Sequence, residues 1–267
     1  MSASDLDALL QLTRQAAAGA GELALRHFNA GGKSWYKGPG QVVTEADLAV
    51  DTLLHDRLRT ACPDYGWLSE ERADDGSRQR CPRVWVVDPI DGTRAFAEGV
   101  PQFAISVALV EDGRPLLGVV LNPASGERFE AQSDGGAWLN GRRVAVSACS
   151  ELADAELLAS RTEMRRRHWP DVVPEAAFTT IGSLAYKLAL IASGRYDGLL
   201  SLRSSHDWDI AAAQLLVAEA GGRMTDADGR PILLNQDPPR HRGLAVAGTA
   251  SLHRALLARL ETAAATS

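Results

Sequence analysis

At 267 residues the chain can form one large domain or two small ones tightly fused, with roughly three-quarters of its unfolded surface buried. Its 45% hydrophobic and 23% charged residues exclude a disordered chain, a collagen-like fibre and a disulfide-stapled miniprotein. The net charge of −6 argues against nucleic acid as a partner, and disfavours an anionic substrate unless cations stand between it and the protein.

Ser4 to Phe28 carries leucines and alanines at helical spacing; Ser4 or Asp5 can cap this helix, and Asn29-Ala30-Gly31-Gly32 ends it. A polar, glycine-rich stretch to Val43 reads as an exposed loop. Within it, Gly32-Lys33-Ser34 looks like the tail of a phosphate-binding loop, but the required glycine five residues earlier is His27, so that reading fails. Thr44 then precedes a second helix with Leu48, Val50, Leu53, Leu54 and Leu58 on its buried side, ending near Cys62-Pro63. Asp47 and Asp51 lie one turn apart on it, and a solvated face is expected for two like charges at that spacing.

From Arg83 the period changes. Val84 to Val87 is a short strand, and Phe103 to Val110 and Pro115 to Leu121 are two more, joined by a turn at Glu111 to Arg114. Asn140-Gly141 is a strong hairpin signal between Ala137–Leu139 and Val144–Val146. The second half alternates: a strand near Leu157, a helix from Ser183 to Ser193, a strand at Gly198 to Leu202, a helix from Asp209 to Ala220, a strand at Gly243 to Ala247 and a last helix. Mixed α/β layers follow from this order. The basic run Arg165-Arg166-Arg167-His168 reads as a solvated helix face.

Cys62, Cys81 and Cys149 are scattered and include no C-x-x-C pair, so a zinc site is not supported and a reducing cytoplasm is the expected setting. Met1 to Gly21 lacks the basic start and apolar block of a signal peptide, and runs such as Ala104 to Val110 are far too short to span a membrane.

The chemistry concentrates in Trp85-Val86-Val87-Asp88-Pro89-Ile90-Asp91-Gly92-Thr93. A buried strand delivers Asp88 at its C-terminal end, where ligands of α/β sheets collect. Asp88 and Asp91 can converge across the turn, with the Gly92 and Thr93 N–H groups facing an anion. The plainer alternative is that Asp91 caps a helix and Asp88 merely ends a strand. Glu70-Glu71 and Asp209 add carboxylates. Asp209 reads either as a helix N-cap or as a buried acid that needs a partner.

Taken with Val43-Thr44-Glu45-Ala46-Asp47, Ser69-Glu70-Glu71, Gly182-Ser183 and Trp208-Asp209-Ile210-Ala211-Ala212, these residues resemble the inositol monophosphatase family of Mg²⁺-dependent, lithium-sensitive phosphatases over nearly the whole chain. The resemblance implies a layered αβαβα sandwich spanning 1–267, with an α+β part over roughly 1–150 and an α/β part over roughly 151–267, commonly assembled as a homodimer. It implies that Glu70, Asp88 and the Ile90 carbonyl hold one Mg²⁺, that Asp88, Asp91 and Asp209 hold a second, and that Glu70 helps retain a weaker third. Gly92 and Thr93 would bind phosphate, and Asp47 would pair with the Thr93 hydroxyl near the attacking water.

Inositol-specific members carry a sugar-binding glutamate seven residues before the Trp-Asp aspartate; here that position is Leu202, followed by Arg203 and His206. This departure looks more like the bacterial 3′(2′),5′-bisphosphate nucleotidases, with Arg203 and His206 near the substrate's second phosphate. Inositol monophosphate is the alternative substrate. Histidinol phosphate is a third, echoed by Asp91-Gly92-Thr93-Arg94-Ala95-Phe96. A non-catalytic protein bound to RNA or polymerase is the alternative outside enzymes.

Overall fold

The computed structural model describes residues 2–31, 34–38, 41–167 and 169–265. Helix α1 (Ala3–Ala30) starts at a reciprocal cap: Ser2 Oγ accepts from the Asp5 N–H at 3.2 Å, and the Asp5 carboxylate accepts from the Ser2 N–H at 3.0 Å. The cap is therefore Ser2, with Asp5 as its third-residue partner, and neither Ser4 nor Asp5 fills that position. Gly31 ends the helix at φ 67°, where a Cβ would be strained.

The stretch expected as a loop instead forms a hairpin, β1 (Ser34–Gly38) against β2 (Gln41–Thr44), with Trp35 paired to Val43. Gly32 and Lys33 of the rejected phosphate-loop motif lie outside the described residues, as does His168 of the basic run. Thr44 caps α2 (Glu45–Ala61), whose Val50, Leu54 and Leu58 are buried. Leu48 is not on that side; it is 44% exposed. Asp47 and Asp51 are the reverse case, since both are buried rather than solvated.

A seven-stranded sheet follows: β3 (Gly66–Ser69), β4 (Arg83–Asp91), β5 (Ala104–Glu111), β6 (Arg114–Asn122), β7 (Glu127–Gln132), β8 (Gly136–Leu139) and β9 (Arg142–Val144), in that spatial order. Only β3 and β4 pair in parallel; the rest are antiparallel. Asn140 and Gly141, at φ 50° and 78°, make the two-residue turn between β8 and β9. The short helix α3 (Thr93–Ala97) leaves the end of β4.

The second sheet has the order β11-β10-β12-β14-β13, from β10 (Glu156–Ala159), β11 (Ala177–Thr180), β12 (Gly198–His206), β13 (Arg223–Thr225) and β14 (Arg240–Ala247). Its helices are α4 (Arg161–Arg167), α5 (Trp169–Val172), α6 (Leu184–Ala192), α7 (Asp207–Glu219) and α8 (Ala250–Ala265).

Strand alternation sorts the core into layers. Trp85 and Val87 of β4 pack with Leu10 of α1 and Leu54 of α2, whereas Val84 and Val86 face a cluster containing Leu188 of α6 and Leu216 of α7. Leu199 and Val246 of the second sheet close that cluster from the other side. Leu200 and Ala245 point away from it, onto Leu252 and Leu256 of α8. The result is an αβαβα sandwich, with α6 and α7 between the sheets. Gly118 admits the close crossing of α7 over β6, because a Cβ there would lie 2.7 Å from the Ala212 carbonyl oxygen. Among the described residues no helix is long and apolar enough to cross a membrane.

Candidate metal centre

Asp88 and Asp91 are three residues apart, so a regular strand would send them to opposite faces. The register between β4 and β5 slips here: Asp88 opposes Ser106 while Asp91 opposes Ala104, which inserts one extra residue into β4. Pro89 sits in this irregularity, where its missing N–H costs no ladder bond. Gly92 then turns the chain at φ 93°, and a Cβ on it would lie 2.9 Å from the Gln102 carbonyl oxygen.

Parallel pairing of β3 with β4 sets Ser69 opposite Val87, so the next residue on each strand, Glu70 and Asp88, meet at the sheet's end. Asp209 arrives from the first turn of α7. It is not the N-cap but the third helical residue, and its Oδ2 accepts from the His206 N–H at 2.7 Å. Oxygens of Glu70, Asp88 and Asp209 all lie within 4.8 Å of one another. Asp91 joins from the side, its Oδ2 accepting from Ser183 Oγ and from the Ala185 N–H at 2.5 Å, at the start of α6.

These acids are buried together. Burial, followed by the charges of Glu70, Asp91 and Asp209, pushes the Asp88 carboxyl well above its ordinary range. Asp209 is raised in the same way, by burial and then by Asp91. Asp91 is pushed up to about 6 by burial, against the opposing hydrogen bonds of Ser183 and Ala185. Asp88 Oδ1 accepts from the Ile90 N–H at 3.0 Å, but Oδ2 is buried and has no hydrogen-bond partner. A buried carboxylate oxygen without a donor, inside an all-oxygen cluster, fits a hard divalent cation such as Mg²⁺.

Asp47 is held by Thr44, whose N–H and Oγ1 both donate to Oδ2 (2.8 and 2.5 Å), and burial raises its carboxyl. Its other oxygen lies 3.1 Å from Thr93 Oγ1, which is also 3.0 Å from the Ile90 carbonyl. Glu70, Asp91, Gly92, Thr93, Arg203 and Asp209 line one cavity of about 340 Å³. His206 is not among its lining residues; its ring stacks on Trp208 at 4.5 Å and 11°. Leu202 also departs from expectation, because it packs on the α8 face of β12, away from the cavity.

Sequence reasoning missed Glu163 and Lys187, which also line the cavity. Glu163 is buried and accepts from Ser201 Oγ (2.7 Å), Ser160 Oγ (3.1 Å) and the Leu202 N–H (3.3 Å). Lys187 had a readable signal, as the single charge in the apolar helix α6. Asp51 was misjudged as solvated; it accepts from Ser69 Oγ and Arg72 Nε, both at 2.5 Å.

The sequence profile of the inositol monophosphatase family matches residues 5–265, and the chain belongs to that family. An inositol-1-monophosphatase of Mesorhizobium japonicum is 36% identical over 94% of this chain and 95% of its own length. The Nus factor SuhB of Pseudomonas aeruginosa is 36% identical over 82% of each chain. The crystal structure of the extragenic suppressor protein suhB from Bartonella henselae superposes with a TM-score of 0.84 at 30% identity, covering 95% of this chain and 98% of that one. The family comprises metal-dependent phosphatases, so the chain is a phosphoric monoester hydrolase.

Proposed function

We propose that the chain is a Mg²⁺-dependent 3′(2′),5′-bisphosphate nucleotidase, converting 3′-phosphoadenosine 5′-phosphate to AMP and phosphate. Glu70, Asp88, Asp91, Asp209 and the Ile90 carbonyl would hold the cations. When bound, Mg²⁺ supplies charge neutralisation and a more acidic water. The residues do the positioning. Thr93 Oγ1 has one proton and two acceptors beside it, Asp47 and the Ile90 carbonyl, so toward a water it can only accept. That polarity holds a water with its lone pair free for phosphorus. Gly92 and Thr93 N–H groups would receive the phosphate.

The observation that carries the substrate choice is the cavity wall formed by α4 and β12. Arg203 lines it and makes no ion pair among the described residues. The two carboxylates of that region are engaged, Glu163 by three donors and Glu98 by Arg161 at 3.5 Å. A polyol therefore finds side-chain hydroxyls but no free carboxylate among the described residues of that wall, while a second phosphate finds a cation. Val42, Ala95, Ile181, Leu184 and Leu199 offer apolar surface for a base. Inositol 1-phosphate is the second reading, favoured by the name of the Mesorhizobium relative. Three cysteines without disulfides suit a cytoplasmic setting, and a homodimer is the assembly expected of the family.

Phosphate release across a substrate panel, with and without Mg²⁺, tests this. The kcat/KM for 3′-phosphoadenosine 5′-phosphate should exceed that for inositol 1-phosphate by at least about tenfold. An equal or reversed preference restores the inositol reading, and no turnover of any phosphomonoester would favour a non-catalytic interaction protein.

A further inference from the structure

Lys187 is 3% exposed, in the middle of an apolar helix, yet it lines the cavity. Its ammonium makes no hydrogen bond or ion pair among the described residues. The charges that act on it are those of Glu163, Asp91 and Arg203. Each is a poor partner. Glu163 already takes three hydrogen bonds, and Asp91 is turned to Ser183 and Ala185 and belongs to the cation cluster. Arg203 is a like charge facing the same space.

The ammonium opens onto the cavity with three protons to place and no protein acceptor within hydrogen-bond distance among the described residues. Two cations on one cavity wall also repel unless an anion lies between them. The acidic cluster, whose Asp91 and Asp209 lie within electrostatic reach of Lys187 and Arg203, is matched to cations and the phosphate they hold, so it does not supply that anion. We propose that Lys187 and Arg203 form a subsite for a second anionic group of the substrate, a phosphate separate from the one that is cleaved. The inference rests on reading the acidic cluster as the hydrolytic centre. It goes further by making Lys187 the residue that selects bisphosphates over monophosphates.

Matched substrate pairs that differ only in the second phosphate test it: 3′-phosphoadenosine 5′-phosphate against adenosine 3′-monophosphate, and fructose 1,6-bisphosphate against fructose 1-phosphate. In Lys187→Met the bisphosphate-to-monophosphate ratio of kcat/KM should fall at least about tenfold for the preferred pair, mainly through KM. Arg203→Ala should move the ratio in the same direction by less. Calorimetric titration with AMP, which keeps only the second phosphate, needs no turnover and should show weaker binding to both variants. Equal losses on both members of each pair, or AMP affinity unchanged in Lys187→Met, overturn the subsite and leave Lys187 a structural residue. If Lys187→Met does not fold, an unchanged ratio in Arg203→Ala overturns it equally. Selectivity confined to the fructose pair would keep the subsite and remove the nucleotide. If the wild type hydrolyses nothing, the hydrolytic reading fails and the AMP titration alone decides the subsite.

Discussion

Thr93 Oγ1 lies 3.1 Å from Asp47 Oδ1, so a hydroxyl at the start of α3 meets a buried carboxylate from the first turn of α2. The contact sits beside the acidic cluster without being part of it, and that separates water orientation from cation binding. Thr93→Ala should lower kcat by roughly 10²-fold, within the range for positioned acid–base groups. Mg²⁺ affinity, read by calorimetry, should change little. Weakened Mg²⁺ binding, with turnover restored by excess Mg²⁺, would instead move Thr93 to a role in shaping the cation site.

Asp88 occupies the centre of the cluster, opposite Glu70 on one side and felt by Asp91 and Asp209 on the other. Its unpartnered Oδ2 and its Ile90-bound Oδ1 make it the carboxylate with the most to lose. Asp88→Asn should abolish more activity than any other single carboxylate substitution. Glu70→Gln and Asp209→Asn should mainly raise the Mg²⁺ concentration for half-maximal rate. Near-wild-type turnover of Asp88→Asn at low Mg²⁺ would contradict the assignment.

What the sequence made legible was local. The turn at Asn140-Gly141, the helix after Thr44 and the strand that delivers Asp88 each depend on a few adjacent residues, although β4 runs on through its bulge to Asp91. The hairpin at 34–44 was hidden by its glycines and proline, which mask the β-prone Trp35, Val42 and Val43. By spacing alone Asp47 and Asp51 read as surface charges, because their partners, Thr93, Ser69 and Arg72, are distant in sequence; only the family resemblance joined Asp47 to Thr93. Leu202 was misread because the register of β12 against β14 shifts between Ser201 and Ser204, which decides which side chains reach the cavity. Lys187 and Glu163 come from different helices, and no spacing rule brings them to one wall.

Asp51 illustrates such distant support. Its carboxylate accepts from Ser69 Oγ and Arg72 Nε, and so clamps the turn that carries Glu70 from both sides. Asp51→Ala should destabilise the fold by about 2 kcal/mol, the scale of a hydrogen bond to a charged group. It should also raise the Mg²⁺ requirement although Asp51 does not face the cluster. Chemical denaturation checks the first effect and Mg²⁺-dependent kinetics the second. A stability loss with an unchanged Mg²⁺ requirement would show that Glu70 is held by other contacts.

Proton and cation compete for the same carboxylates, and the sign of that competition can be measured. Asp91 is pushed up to about 6 in the folded protein, and Asp88 and Asp209 move in the same direction. An unfolded aspartate titrates near ~4, so between ~4 and ~6 the folded state binds more protons than the unfolded one. Stability of the cation-free protein should therefore fall as pH rises through that window, and the penalty is fully developed above it. Mg²⁺ relieves the repulsion only where the acids are ionised. The rise in Tm on adding Mg²⁺ should thus be larger at pH 7.5 than at pH 5, and Asp88→Asn should shrink it at the higher pH. An equal rise at both values would mean that these carboxylates do not carry the cation.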